Sequence, residues 1–139
     1  MIKNIISILT GKGIKPTPMR MLVLEEMMKH SGSLSLNEVE KLLIDSDRVT
    51  IYRTLELFVK HGIAHSVDLV NRGRVYALCD DSCSPDKHRD AHPHFLCESC
   101  RKVFCSDDFT YIVDTNAAEN YTVNSVEVMI RGICPSCNK

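Results

Sequence analysis

Two Cys-x2-Cys knuckles carry the strongest chemical signal in this 139-residue chain: Cys97-Glu98-Ser99-Cys100 and Cys134-Pro135-Ser136-Cys137, separated by 33 residues. Two-residue spacing lets one turn present two sulfurs to a single ion, and four thiolates form the closed tetrahedron that zinc prefers. A closed shell has no open position for substrate or water, so the expected site is one structural Zn2+ per chain. Redox pairs and unpaired buried thiols are the other readings of these residues. Cytosolic thiols are kept reduced and the total of seven cysteines is odd, so a disulfide framework fits poorly.

A second, looser set comprises His65, Cys79, Cys83, His88, His92 and His94. His92 and His94 are one residue apart, so on a strand both face the same side. His65 opens the first strand of an expected hairpin and Cys79 closes the second, and hairpin ends approach one another. A site of His65, Cys79, His92 and His94 suits tetrahedral zinc, with a thiolate softer than the usual iron ligands. Its ligands come from both halves of the chain, so metal occupancy would fix the angle between the halves. Solvated surface histidines are the bland reading of the same residues. Cys83 and His88 are alternative ligands without fixed spacing, and Cys105 reads as a small core residue. Catalytic patterns are missing: there is no H-E-x-x-H, and no proline precedes a knuckle cysteine as zinc deaminases require. The expectation is that the protein is not an enzyme.

The elements that must position these residues are legible from periodicity. Thr17 and Pro18 mark a helix start, followed by an apolar stripe of Met19, Leu22, Val23 and Met27. Ser35-Leu36-Asn37-Glu38 has capping-box form, with Leu36, Val39, Leu42 and Leu43 on the expected buried face. After Asp45-Ser46-Asp47, a third helix runs to about Lys60 with Ile51, Leu55, Phe58 and Val59 inside. Its polar side shows Thr50, Arg53, Glu56 and Lys60, with Tyr52 at the edge. Gly62 follows as a helix stop. Strands are expected at about 64–70 and 74–79, with Asn71-Arg72-Gly73 as the turn. Three helices and a hairpin make a winged helix-turn-helix, in which the last helix enters the DNA major groove; a plain three-helix packing unit is the alternative.

Residues 80–94 form a polar, Asp/His/Cys-rich connector. Beyond it, Lys102–Cys105 reads as a strand and Ser106-Asp107-Asp108 as a helix start. Val126, Val128 and Ile130 alternate with polar or outward positions, as in a half-buried strand. The expected architecture is α+β: a winged-helix domain over residues 1–80, a hinge and metal-ligand segment over 81–94, and a small α/β domain with a four-cysteine zinc site over 95–139. The last core is thin, so a metal, a dimer interface or both should stabilise it.

The formal net charge is −1, with +2 over residues 1–64 and −3 over 65–139. This asymmetry permits a nucleic-acid-binding N-terminal half. No apolar run approaches a membrane span and Met1–Ile6 is too short for a signal peptide, so the expected location is the cytoplasm.

In order, the segments Gly13-Ile14-Lys15-Pro16-Thr17-Pro18-Met19-Arg20, Val49-Thr50-Ile51-Tyr52-Arg53-Thr54-Leu55, Gly62-Ile63-Ala64-His65 and His92-Pro93-His94-Phe95-Leu96-Cys97-Glu98-Ser99-Cys100, with the final knuckle, resemble the ferric uptake regulator (Fur) family. The resemblance covers about Gly13 to Cys137. It implies a C-terminal dimerisation domain and metal-dependent repression by a homodimer at palindromic double-stranded operators. It also implies that Tyr52 and Arg53 reach base edges and that Lys15 and Arg20 approach the backbone or minor groove. Arg53 suits guanine or phosphate on chemical grounds too, and Thr50 lies on the same face.

Departures from the family pattern concern the metal. Iron sensors carry a glutamate where Ala77 stands and a histidine near Ser33. His65 and Cys79 resemble the zinc uptake regulator (Zur) branch instead. Ala91 and Pro93 replace ligands of a third metal site, Arg101 replaces a common glycine, and the stretch with Cys83 and His88 is unusual. The expected regulatory metal is Zn2+. Fe2+ or peroxide sensing is the alternative, and a Cys79–Cys83 thiol switch a weaker one.

Overall fold

The structure, a computed structural model, describes residues 2–69, 73–79, 93–105, 109, 114, 118–124 and 126–138. His92, Cys83, His88, the Asn71-Arg72 turn, the helix start at Ser106 and most of the expected hinge lie outside the described residues. Four helices come first, α1 (Ile2–Gly11), α2 (Pro18–Lys29), α3 (Leu36–Leu42) and α4 (Arg48–Lys60). Strands β1 (Leu34–Ser35), β2 (Ala64–Leu69) and β3 (Gly73–Leu78) form one antiparallel sheet in the order β1-β3-β2. Strands β4 (His94–Cys97), β5 (Val103–Cys105) and β6 (Met129–Gly132) form a second, in the order β5-β4-β6, with β4 and β6 parallel.

Helix α1 is the element the periodicity argument missed. Ile5 and Leu9, four residues apart, share one face and are buried with Ile14 in the core, while Ile6 and Ser7 face outward. Val23, Leu24 and Met27 of α2, Val39 of α3 and Ile51, Leu55 and Phe58 of α4 complete that core, roofed by Ile63 just before the sheet and by Ala64 and Tyr76 within it. Two expected core positions are corrected: Leu22 and Leu42 are exposed, with Leu24 buried on α2, while Leu43, just past α3, is buried as expected.

The helix starts follow their caps. Thr17 Oγ1 accepts from Arg20 N–H, and Ser35 and Glu38 exchange both bonds of a capping box. Asp47 caps α4, its carboxylate accepting from Thr50 N–H at 3.1 Å and from the Thr50 hydroxyl at 2.9 Å. Replacing Asp47 with alanine leaves that helix start uncapped, and should lower the unfolding free energy by about 1 kcal/mol in urea melts.

The hairpin is tied to α4 by charge. Arg74 donates to Asp68 and to Glu56 of α4, and Tyr76 Oη donates to Glu56 at 2.7 Å. Burial, and then the bond to Glu56, raise the Tyr76 hydroxyl well above its ordinary range, so it stays protonated as a donor. Helices and first sheet together form a winged helix-turn-helix. The short α3–α4 turn sets α4 as its second helix and the β2–β3 hairpin as its wing.

Candidate metal centres and nucleic-acid face

The first centre is built from the ends of β4 and β6. Cys97 closes β4, and its carbonyl accepts from Arg101 N–H at 2.8 Å, folding residues 98–100 into a turn that carries Cys100 back beside it. Arg101 holds this turn at φ 62°, a left-handed conformation where glycine is at ease and arginine is strained. Glu98 N–H donates to Gly132 at the end of β6, which brings the second knuckle alongside the first. There Cys137 and Asn138 N–H both donate to the Cys134 carbonyl. The parallel β4–β6 pairing thus aligns the two knuckles at one end of the sheet.

The sulfurs of Cys97, Cys100, Cys134 and Cys137 lie within 4.8 Å of one another. Cys100 and Cys134 Sγ are 3.9 Å apart. A zinc–sulfur bond of about 2.3 Å puts the sulfurs of a tetrahedron roughly 3.8 Å apart, close to the Cys100–Cys134 spacing, so the donor set fits zinc. Cys97 Sγ accepts from the N–H groups of Cys134 at 3.3 Å and Cys100 at 3.5 Å. These bonds, the one from Cys134 foremost, lower the pKa of its thiol and so favour the thiolate. Burial pushes the Cys100 thiol up to about 11; a cation at the centre would supply the opposing charge.

The second grouping of possible ligands shares His65 and His94 with the expected one, and His92 lies outside the described residues. His65 of β2, His94 of β4 and Cys105 of β5 bring their ligand atoms within 4.8 Å of one another. His65 is buried at 6% exposure, and the His65 and His94 rings meet edge-on with centroids 5.1 Å apart. His94 Nε2 is buried as well. Cys79 is half-buried just beyond β3, its N–H donating to the Ile63 carbonyl, and is not part of this mutual grouping. Cys105, which the sequence offered only as core, is half-buried and lies within reach of His65 and His94. The missed signal is pairing register: Cys105 stands directly opposite His94 in the β4–β5 ladder, and directly opposed residues share a face. Two imidazoles and a thiolate are donor types that match zinc or another borderline metal.

Thr50, Tyr52, Arg53 and Lys60 line the outer face of α4 and are exposed, with Tyr52 at 44%. Glu56 is turned instead to the wing. Lys15 is exposed ahead of α2, and Arg20 Nη1 donates to the Lys15 carbonyl at 2.9 Å, so the two travel together. A cleft of about 390 Å³ between α4 and the wing is lined by Arg48, Tyr52 and Arg74 among others. Arg48 is paired with Glu40 and Asn37. No described helix is long and apolar enough to cross a membrane.

A family model described as the ferric uptake regulator family matches residues 11–131. The chain is 36% identical over 93 residues to the ferric uptake regulation protein of Synechococcus elongatus, an alignment covering 65% of this chain and 58% of that protein. It is 27% identical over 133 residues to the zinc uptake regulation protein of Escherichia coli, covering 91% of this chain and 74% of the relative. A solved zinc uptake regulator complexed with zinc and DNA superposes with a TM-score of 0.65 at 19% identity, covering 98% of this chain and 91% of that one. The chain belongs to the ferric uptake regulator family, whose members are metal-responsive transcription regulators rather than enzymes.

Proposed function

We propose that this protein is a zinc-responsive transcriptional repressor of the cytoplasm that binds palindromic operator DNA as a homodimer. The observation that carries this reading is the convergence of His65, His94 and Cys105, because His65 belongs to the wing sheet while His94 and Cys105 belong to the second sheet. A metal ion bound there supplies a link between the two sheets and therefore a fixed angle for α4. His65 and His94 would bind through neutral imidazole nitrogens and Cys105 through its thiolate. Cys79 and His92 are the candidates for the remaining position. The set lacks a carboxylate among its described members and contains a thiolate, which favours zinc over ferrous iron.

The Cys97–Cys100–Cys134–Cys137 centre has a different task in this reading. All four ligands lie in the C-terminal half, so a Zn2+ ion there would hold the second sheet together without reporting on metal supply. Thr50, Tyr52 and Arg53 would face bases or phosphates, with Lys15 and Arg20 on the backbone or minor groove. Tyr121, Val123 and Ile133 are exposed apolar residues of the C-terminal half, which supports placing the dimer contact there. Two-fold pairing presents two copies of α4 to two half-sites, which offsets the chain's nearly neutral charge.

A ferrous-iron response is the second reading, favoured by the identity shared with the S. elongatus protein. Fluorescence anisotropy on a palindromic duplex selected from a random library separates the two. Buffered zinc should tighten binding by roughly 5- to 150-fold, the span of ordinary allosteric coupling. Tightening by ferrous iron or manganese, with none by zinc, would reverse the assignment.

A further inference from the structure

Strand β5 does two things at once. Its last residue, Cys105, joins His65 and His94, while its first residues contact the turn between α2 and β1. Ser33 is buried at 2% exposure, and its hydroxyl accepts a 2.8 Å hydrogen bond from Val103 N–H. Lys102 Nζ donates to the Ser33 carbonyl at 3.0 Å and lies 3.7 Å from Glu38. That same Glu38 carboxylate completes the capping box of α3. Val103 is an edge residue of its sheet, since β5 pairs with β4 on its other side, so Ser33 occupies the open edge.

Gly32 permits the approach. It sits at φ +83°, and a Cβ there would come within 2.8 Å of Lys102 Cβ and 3.0 Å of the Phe104 ring. Any side chain at residue 32 would push β5 away from the turn. The contact is therefore shaped on both sides, by a missing side chain and by a buried hydroxyl. A buried serine with its hydroxyl committed to another sheet's backbone is costly to leave unpaired.

We infer that Ser33 and Lys102 are positioning residues: they latch β5 to the helix-turn-helix and set how much metal the regulator needs. The inference rests on the proposed sensing role of the His65–His94–Cys105 centre. Val103 and Cys105 are two residues apart on one short strand, so a shift of either end moves the other. The latch favours the arrangement in which Cys105 faces His65 and α3 is held by Glu38. Metal then binds an arrangement already populated, and its apparent affinity scales with that population. Losing the latch lowers the population and raises the metal requirement, without altering the DNA-reading face.

The test titrates operator binding of the full-length protein against buffered zinc, for wild type, Ser33→Ala and Lys102→Met. Loss of one such hydrogen bond should raise the half-maximal zinc concentration by roughly three- to tenfold. Operator affinity at saturating zinc should stay within about twofold of wild type, as the metal re-establishes the arrangement. Unchanged midpoints in both variants would overturn the inference, as would a loss confined to saturating affinity. If Ser33→Ala fails to fold, Lys102→Met, which removes a partly exposed ammonium group and its contacts to Ser33 and Glu38, decides alone. Amide exchange at Val103 keeps the two readings apart, since it should accelerate in Ser33→Ala whether or not zinc is the signal. A wild-type chain that ignores zinc but answers ferrous iron sinks the zinc reading, and the same midpoint comparison is then made in iron. Unaltered Val103 exchange sinks the latch.

Discussion

Replacing Cys97 with serine should abolish the tightly held zinc and unfold the C-terminal half. Cys97 is the centre's most deeply placed ligand, 0% exposed, and receives the N–H groups of both knuckles. Apparent zinc-binding energies of such four-ligand sites, about 10–16 kcal/mol at neutral pH, match or exceed the whole stability of a small domain. The described core of that half is thin: apart from Pro93, its fully buried apolar residues are Cys97, Val103 and Cys134. Metal analysis should show one zinc per chain lost, and far-UV circular dichroism should show the second sheet lost while the helices remain. A Cys97→Ser protein with native stability and full zinc content would refute the structural role. Lowering the pH should release the metal too, because every ligand must be a thiolate and protons compete for the sulfurs.

The second large effect is expected at Cys105. Cys105→Ala should remove most of the zinc-dependent gain in operator affinity, bringing the roughly 5- to 150-fold coupling close to one. Basal DNA binding and the zinc of the four-cysteine centre should both be retained, because Cys105 lies outside that centre. His65→Ala should behave likewise, since His65 is the ligand contributed by the wing sheet. The comparison with Cys79→Ala is informative. A weakened response in Cys79→Ala makes Cys79 the fourth ligand; an unchanged one leaves the response to His65, His94 and Cys105. Anisotropy titrations with buffered zinc, run beside metal counts, measure both quantities on the same samples.

Much of this protein is readable in its chain. The two knuckles announce a four-sulfur site because the spacing within each knuckle is a local property of one turn, and the structure brings all four sulfurs together. Helices α2, α3 and α4 begin at Thr17, Ser35 and Asp47 because side-chain caps are also local. The hairpin strands, expected at about 64–70 and 74–79, are observed as Ala64–Leu69 and Gly73–Leu78. Helix α1 escaped because its stripe depends on two buried positions, Ile5 and Leu9, in a short apolar run that fits several structures.

What tertiary structure decided is which distant residues meet. Sequence could propose that His65 and His94 converge, but it had no means of choosing Cys105, whose partnership with His94 comes from strand register. Nor could it give Ser33 a role. That residue acquires one only when an open strand edge arrives beside it, and Gly32 leaves the room for that arrival. Caps, knuckles and periodicities are encoded within a few residues, where backbone geometry fixes the neighbours. Register and edge contacts are set by how whole elements pack, a property of the folded core and not of any one segment.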